Sequence, residues 1–156
     1  MYRVLLFLLL IFLAGFSGAE TLYSGNTGKP TVIDEFYKNI HAGQEVIVSE
    51  QHDLERHHQM QRDILVNIYN STFPINVGME FFDYLSQNFV DQFLKGVIDE
   101  PTFLKDIKWG KNDFSFYRFQ VLAPSYHQGT TLALNLPREI SGKVAKNGLA
   151  TLTPEE

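Results

Sequence analysis

The pattern of apolar and polar positions changes period several times along the chain. In "PTVIDEFYKNIHAGQ", Val32, Phe36 and Ile40 recur at helical spacing and Gly43 supplies a stop, which predicts a helix after the linker "TLYSGNTGK". The β-branched run "EVIVS" predicts a short buried strand. A helical pattern from Leu54 to Asn70 then leads to a second strand, "INVGMEF", bounded by Pro74. Asp83 is placed to cap a third helix through "LSQNFVDQFLKG", and "DEPTFLKDI" predicts a short fourth helix with Pro101 in its first turn. The aromatic stretch "FSFYRFQVLAPSYHQG" reads as helix that Pro124 bends or ends. "TTLALN" reads as a third strand, and "LPREISGKVAKNG" as a helix opened by Pro137 and closed at Asn147 and Gly148.

Strands alternating with helices predict an α/β fold, a parallel sheet flanked by helices with right-handed crossovers. Ligands of such sheets bind beyond the carboxyl ends of the strands. The residues to weigh are therefore Glu50 to Asp53, Glu80 to Asp83 and Asn135 to Arg138. The first group opens "SEQHDLERHHQ", which holds three of the five histidines. With about 100° per residue from Leu54, one arc collects Leu54, His57, His58, Gln61, Ile64, Leu65, Ile68 and Tyr69. The opposite side holds Glu55, Arg56, Gln59, Asp63, Asn67 and Asn70. His57, His58 and Gln61 thus follow the apolar stripe, where buried polar groups need partners.

The N-terminus changes the picture of the mature chain. Arg3, the 13-residue run "VLLFLLLIFLAGF" and the small residues of "SGAE" predict a signal peptide over residues 1–19, cleaved after Ala19. The run is short for a membrane span of about 20 residues, and an uncleaved, membrane-associated form is the alternative. A domain of 137 residues, 20–156, remains, with a formal charge of -6 after Arg3 is lost. Nothing resembles a basic stripe, so no nucleic acid partner is expected. The absence of cysteine excludes disulfides, thiolate metal sites, cysteine-attached haem and a lipid-modified cysteine. Aromatic residues make up 13% of the chain, which suits either a substantial core or a flat apolar ligand. At the other end, "LTPEE" carries helix-start signals with no helix after it, and three strands make a small sheet. The chain is therefore expected to be the N-terminal part of something longer, with an exposed apolar sheet edge near Leu132 and Leu134.

Two chemistries are open. Glu50, His52, one of His57 and His58, and Glu80 converging at the sheet tips would suit zinc or another divalent metal, and equally general acid-base work. The alternative is structural, with Asp53 as a helix cap and His57 and His58 as core-edge histidines bonded to Glu50 or Glu80. Tyr84 and Tyr117 offer phenolates, which can ligate ferric haem iron. Either tyrosine also reads as an amphipathic core-edge residue.

Three blocks in order resemble one family. "VIVSEQHDLERHHQMQ" is similar to its strand, Gly-Glu-x-His-Asp turn and helix with a His pair; "VGMEFFDYLSQ" to its Glu-Met-Phe block with a following Gln; and "LALNLPREISGKVAKNGLATLTPEE" to its strand, Asn-x-Pro-Arg turn and helix. The chain over about residues 21–156 resembles the N-terminal portion of the ChaN-like haem-binding uptake family of the Tiki superfamily. The resemblance implies an exported α/β domain with a small helical subdomain that binds haem, assists iron acquisition with an outer-membrane haem receptor or uptake system, and pairs as a haem-linked homodimer. It also implies a tyrosine on each iron, with Tyr84 and Tyr117 as candidates, and histidine and lysine at the propionates. Glu50, His52, Asp53, His58, Gln61, Glu80, Gln87, Asn135, Pro137 and Arg138 stand at the family's motif positions. Ser49 departs from the usual Gly, the lipoprotein cysteine is absent, and family members run longer. The expected cofactor-binding set is Glu50, His52, His57, His58, Glu80, Tyr84, Tyr117 and Arg138, with no catalytic residue. The competing reading is a metal-dependent hydrolase of the wider superfamily, erythromycin-esterase-like, using Glu50, His52 and Glu80.

Overall fold

The computed structural model describes residues 21–69 and 74–154. The expected signal peptide over residues 1–19 lies outside the described residues, and among those described no helix is long and apolar enough to cross a membrane. The described residues divide into two compact units, one up to Asn39 and one from Ile40.

In the first unit, β1 (Leu22–Tyr23) pairs antiparallel with β2 (Pro30–Thr31). The predicted linker is thus a small hairpin. Its turn is held by Gly28 N–H donating to Ser24 O at 2.7 Å, with Gly28 at a φ of 65° that favours glycine. Helix α1 (Ile33–Lys38) is shorter than its apolar spacing predicts. Asn39 stops it early, because its side-chain amide donates to Glu35 O at 2.6 Å and its backbone N–H to Phe36 O.

In the second unit the predicted strand "EVIVS" does not form. Residues 45–49 pair with no other strand among the described residues, and Ile47 is 91% exposed. The parallel sheet therefore has two strands, β3 (Val77–Asp83) and β4 (Thr131–Asn135), in register from Val77 opposite Thr131 to Met79 opposite Ala133. A register shift then brings Asp83 opposite Asn135. This interruption breaks strict alternation, so Met79 and Phe82 both reach the core. Helix α2 (Glu55–Tyr69) precedes β3. The crossover from β3 to β4 runs through a short 3-10 turn at Tyr84–Ser86, then α3 (Gln87–Leu94), α4 (Glu100–Asp106) and α5 (Ser115–Leu122). Helix α6 (Arg138–Asn147) follows β4.

The local signals act where the sequence places them. Asp83 Oδ1 accepts from Ser86 N–H and caps the turn into α3; Asp99 Oδ1 accepts from Thr102 N–H at 2.9 Å and caps α4. That capping holds the Asp99 carboxyl below its usual range. Pro124 ends α5 in a 3-10 turn, and α6 stops at Gly148, whose φ is 79°. Gly129 is required by contact rather than by φ: a Cβ there would come within 1.9 Å of Ile75 O.

Phe114, which caps α5, and Tyr117 and Val121 on it recur at intervals of three and four and enter a core with Met79, Phe82, Val90, Phe93 and Phe103. The Phe93 and Phe103 rings stack at 4.3 Å, and Phe82 meets Phe103 edge-on at 5.6 Å. Each such buried phenylalanine contributes about 1.5–3 kcal/mol. The expected exposure at the sheet is present too: Leu134 is 62% exposed and Leu132 is also exposed.

Gln87 carries the sheet one step further. Its side-chain Nε2 donates to Thr131 O at 2.9 Å, and its Oε1 accepts from Ala133 N–H at 2.8 Å. The amide thus takes the two ladder positions on the side of β4 away from β3, as a peptide group of a further strand would. A motif residue of the sequence comparison is here a plug for a sheet edge.

Candidate functional site

Helix α2 presents the face that its spacing predicts. His58 and Ile64 are buried, and His57, Gln61, Leu65, Ile68 and Tyr69 are partly buried, while Glu55, Arg56, Gln59, Asp63 and Asn67 are exposed. The buried first turn lies against α5, where the Phe116 ring stacks on His58 at 4.8 Å and Tyr117 meets it edge-on at 4.7 Å.

Glu50 is the hub. Its side chain is 8% exposed. Oε1 accepts from Tyr117 OH at 2.8 Å and from His52 Nδ1 at 2.9 Å. Oε2 lies 2.7 Å from His58 Nδ1, close but off the hydrogen-bond axis, and neither of those two buried atoms has an aligned partner among the described residues. His58 Nε2 meets His52 O at 3.1 Å, and since a carbonyl only accepts, Nε2 carries the proton. A neutral His58 would then turn a lone pair toward the carboxylate. The 2.7 Å approach is favourable only when a proton is held by the ring nitrogen or by the carboxyl.

The other two histidines are fixed differently. His57 Nδ1 accepts from Gln51 N–H at 2.9 Å, so in the neutral ring its Nε2 is a donor. His52 gives its Nδ1 proton to Glu50 and rests edge-on against Phe81 at 4.8 Å. The side chain is 48% exposed. The three histidines thus hold distinct places: His57 against the Gln51 backbone, His58 buried beside one oxygen of Glu50, and His52 half exposed on the other.

The two tyrosines differ as sharply. Tyr117 is 2% exposed. Burial, the hydrogen bond to Glu50 and the charges of Glu50 and Glu80 push its pKa well above the usual phenol value. These surroundings hold it as a neutral phenol, the opposite of what iron ligation asks. Tyr84, at the carboxyl end of β3, is 45% exposed and carries none of these contacts.

Glu80 points to solvent from β3, near enough for its charge to act on Tyr117. Its backbone carbonyl accepts from the Asn135 amide at 2.8 Å, which joins the ends of the two strands. Arg138 opens α6 and is exposed, and among the described residues no contact joins it to Glu50. The divalent-metal set expected of Glu50, His52 and Glu80 is not assembled. The Glu50 carboxylate accepts from one imidazole and one phenol and lies close to a second imidazole, Glu80 faces outward, and no three His, Asp or Glu side chains among the described residues are grouped to hold a metal ion.

Compared with known proteins, residues 36–156 match the family described as "Haem-binding uptake, Tiki superfamily, ChaN". The chain belongs to this family. No curated protein and no solved structure matches it. The ChaN residues of "SEQHDLERHHQ" are brought together by the turn before α2. The aromatic wall beside them, Phe81, Trp109 and Phe116, was not singled out from the sequence. Its signal was present in "FSFYRF" and "MEFF", where rings recur among polar positions. A carboxylate-held imidazole thus stands next to aromatic surface.

Proposed function

We propose that this ChaN-family chain is an exported haem-binding protein that assists haem and iron uptake and catalyses no reaction of its own. The observation that carries the reading is the Glu50 hub, which spends a buried carboxylate on orienting His52, His58 and Tyr117 within a haem-binding family. Haem would supply the iron chemistry; the chain's own residues hold the imidazoles in fixed tautomers and offer aromatic contact. Of the two tyrosines, Tyr84 is the exposed one and the candidate that a ligand reaches from solvent. Glu80, His57 and Arg138 provide the polar rim, His57 as a donor suited to a propionate. The reading extends to a location outside the cytoplasm, delivery by an outer-membrane receptor or uptake system, and a haem-linked homodimer.

Titration of the purified chain with ferric haem tests it. The expected result is a saturable Soret band with quenching of Trp109, the single tryptophan. Free-haem spectra and unquenched emission at all concentrations would overturn the reading. Export is checked separately by fractionating cells that express the full chain, with a periplasmic product lacking residues 1–19 expected.

A further inference from the structure

Two faces of α5 are used by the fold. Tyr117 and Val121 enter the core, while Phe116 and Gln120 turn to α2, where Phe116 stacks on His58 and Gln120 reaches Gln61. A third face is left over. Ser115, Arg118, Phe119 and Leu122 follow one another along it by single turns, and Tyr126 continues the row in the 3-10 turn Ala123–His127. With Arg62 of α2 and the buried Ala123 they line an open groove of about 310 Å³. That is near the lower end of the about 300–1,000 Å³ of small-ligand pockets, so its occupant would be small.

The lining combines cations with ring surface. The Arg62 guanidinium lies over the Phe119 ring, 4.8 Å from its centroid, and among the described residues no carboxylate pairs with it. The ring restrains the side chain and leaves its N–H donors for a ligand. Arg118 gives its Nε proton to Glu100 Oε2 at 2.6 Å, which anchors it and leaves its two terminal amino groups without a further partner among the described residues. Glu100 offsets part of the Arg118 charge, so Arg62 carries the larger share of any recognition of an anion. Phe119 and Leu122 are half-buried, and the Tyr126 ring is 76% exposed. In a chain whose formal charge is -5, two guanidiniums beside uncovered ring surface favour an anion, and the apolar wall favours one that carries a flat ring.

We propose that the groove between α2 and α5 binds a small aromatic carboxylate, its acid group held by Arg62 and Arg118 and its ring against Phe119, Leu122 and Tyr126. The groove shares no side chain with the Glu50 hub, so the inference goes beyond the haem reading and does not depend on it.

The test titrates the purified chain with sodium 1-naphthoate and follows nitrogen-15 spectra. Saturable shifts are expected at the Nε–H groups of Arg62 and Arg118 and at backbone amides along α5, with none at Glu50 or His52. The neutral analogue 1-naphthalenemethanol lacks the charge and acetate lacks the ring, and each should bind about tenfold more weakly or worse. Arg62→Gln should lose about tenfold in naphthoate affinity, whereas Arg56→Gln, on the solvent side of the same helix, should lose none. Both side chains are exposed, so the variants should fold, as their amide spectra would verify. Tyr126→Ala, a change at an equally open position, should also weaken binding. Equal affinity for naphthoate and its neutral analogue, shifts that saturate away from α5, an Arg62→Gln affinity equal to the parent's, or no saturable shift at all would each overturn the proposal. The Soret titration is expected to be the same in Arg62→Gln and the parent chain, which keeps this proposal and the haem reading separable.

Discussion

At the scale of single residues, Glu50 concentrates the most interaction in the smallest volume. Replacing it by Ala strands the Tyr117 hydroxyl in the interior, and an unsatisfied buried group costs about 1–3 kcal/mol. Urea unfolding of Glu50→Ala should therefore show a loss of that size, above that of His52→Ala. Tyr117 gives a pH signature of its own. Its folded-state pKa is raised, so the folded form retains a proton that the unfolded chain gives up near the ordinary phenol value of about 10. The stability it contributes is complete below that value and declines as pH climbs above it. Tyr117→Phe is expected to flatten this alkaline decline, measured as the unfolding midpoint against pH. The residue types of this cluster were legible in "SEQHDLERHHQ", as was the inward turn of His57 and His58. What spacing along one helix does not reveal is that a phenol 67 positions away completes it.

At the scale of elements, "EVIVS" teaches where pattern reading stops. β-Branched residues in a row fit a strand, but a strand exists only when a neighbour supplies the ladder, and the property lives in the pair. The exposure of Ile47 makes the difference measurable: Ile47→Lys should change stability by no more than about 0.5 kcal/mol, as at ordinary surface positions. A buried strand position would lose several times that. Gly129→Ala is expected to go the other way, since the added methyl meets the Ile75 carbonyl. Overpacking of this kind costs about 1–3 kcal/mol, readable in thermal unfolding. The helices fared better because their signals are local. Asp83, Asp99, Pro124 and Gly148 each act on backbone groups a few residues away, and each does so where the sequence puts it. The hairpin of β1 and β2 was missed because its two-residue strands carry no alternation to detect.

At the scale of the second unit, the packing of α3, α4 and α5 on β3 forms one aromatic core, and the hub of Glu50 stands at its margin through Tyr117. Phe103, fully buried between Phe93, Phe82 and Phe114, is the residue on which that core depends most evenly. Phe103→Ala should cost about 3–5 kcal/mol in denaturant unfolding, and the loss should weaken the hub as well, seen as faster exchange at the His58 ring. The parallel-sheet class and the order of helices were legible because crossovers need length and helical spacing; the number of paired strands was not. Gln87 gives the sheet a direction. With its amide lodged against Thr131 and Ala133, the β4 flank of the ribbon is closed to a visiting strand. A self-association that proceeds by strand addition would thus meet a terminator on one side, as a chain-growth reaction does when one end is blocked. Gln87→Ala would unblock it, and light scattering at raised concentration should record growth where the parent chain stays small.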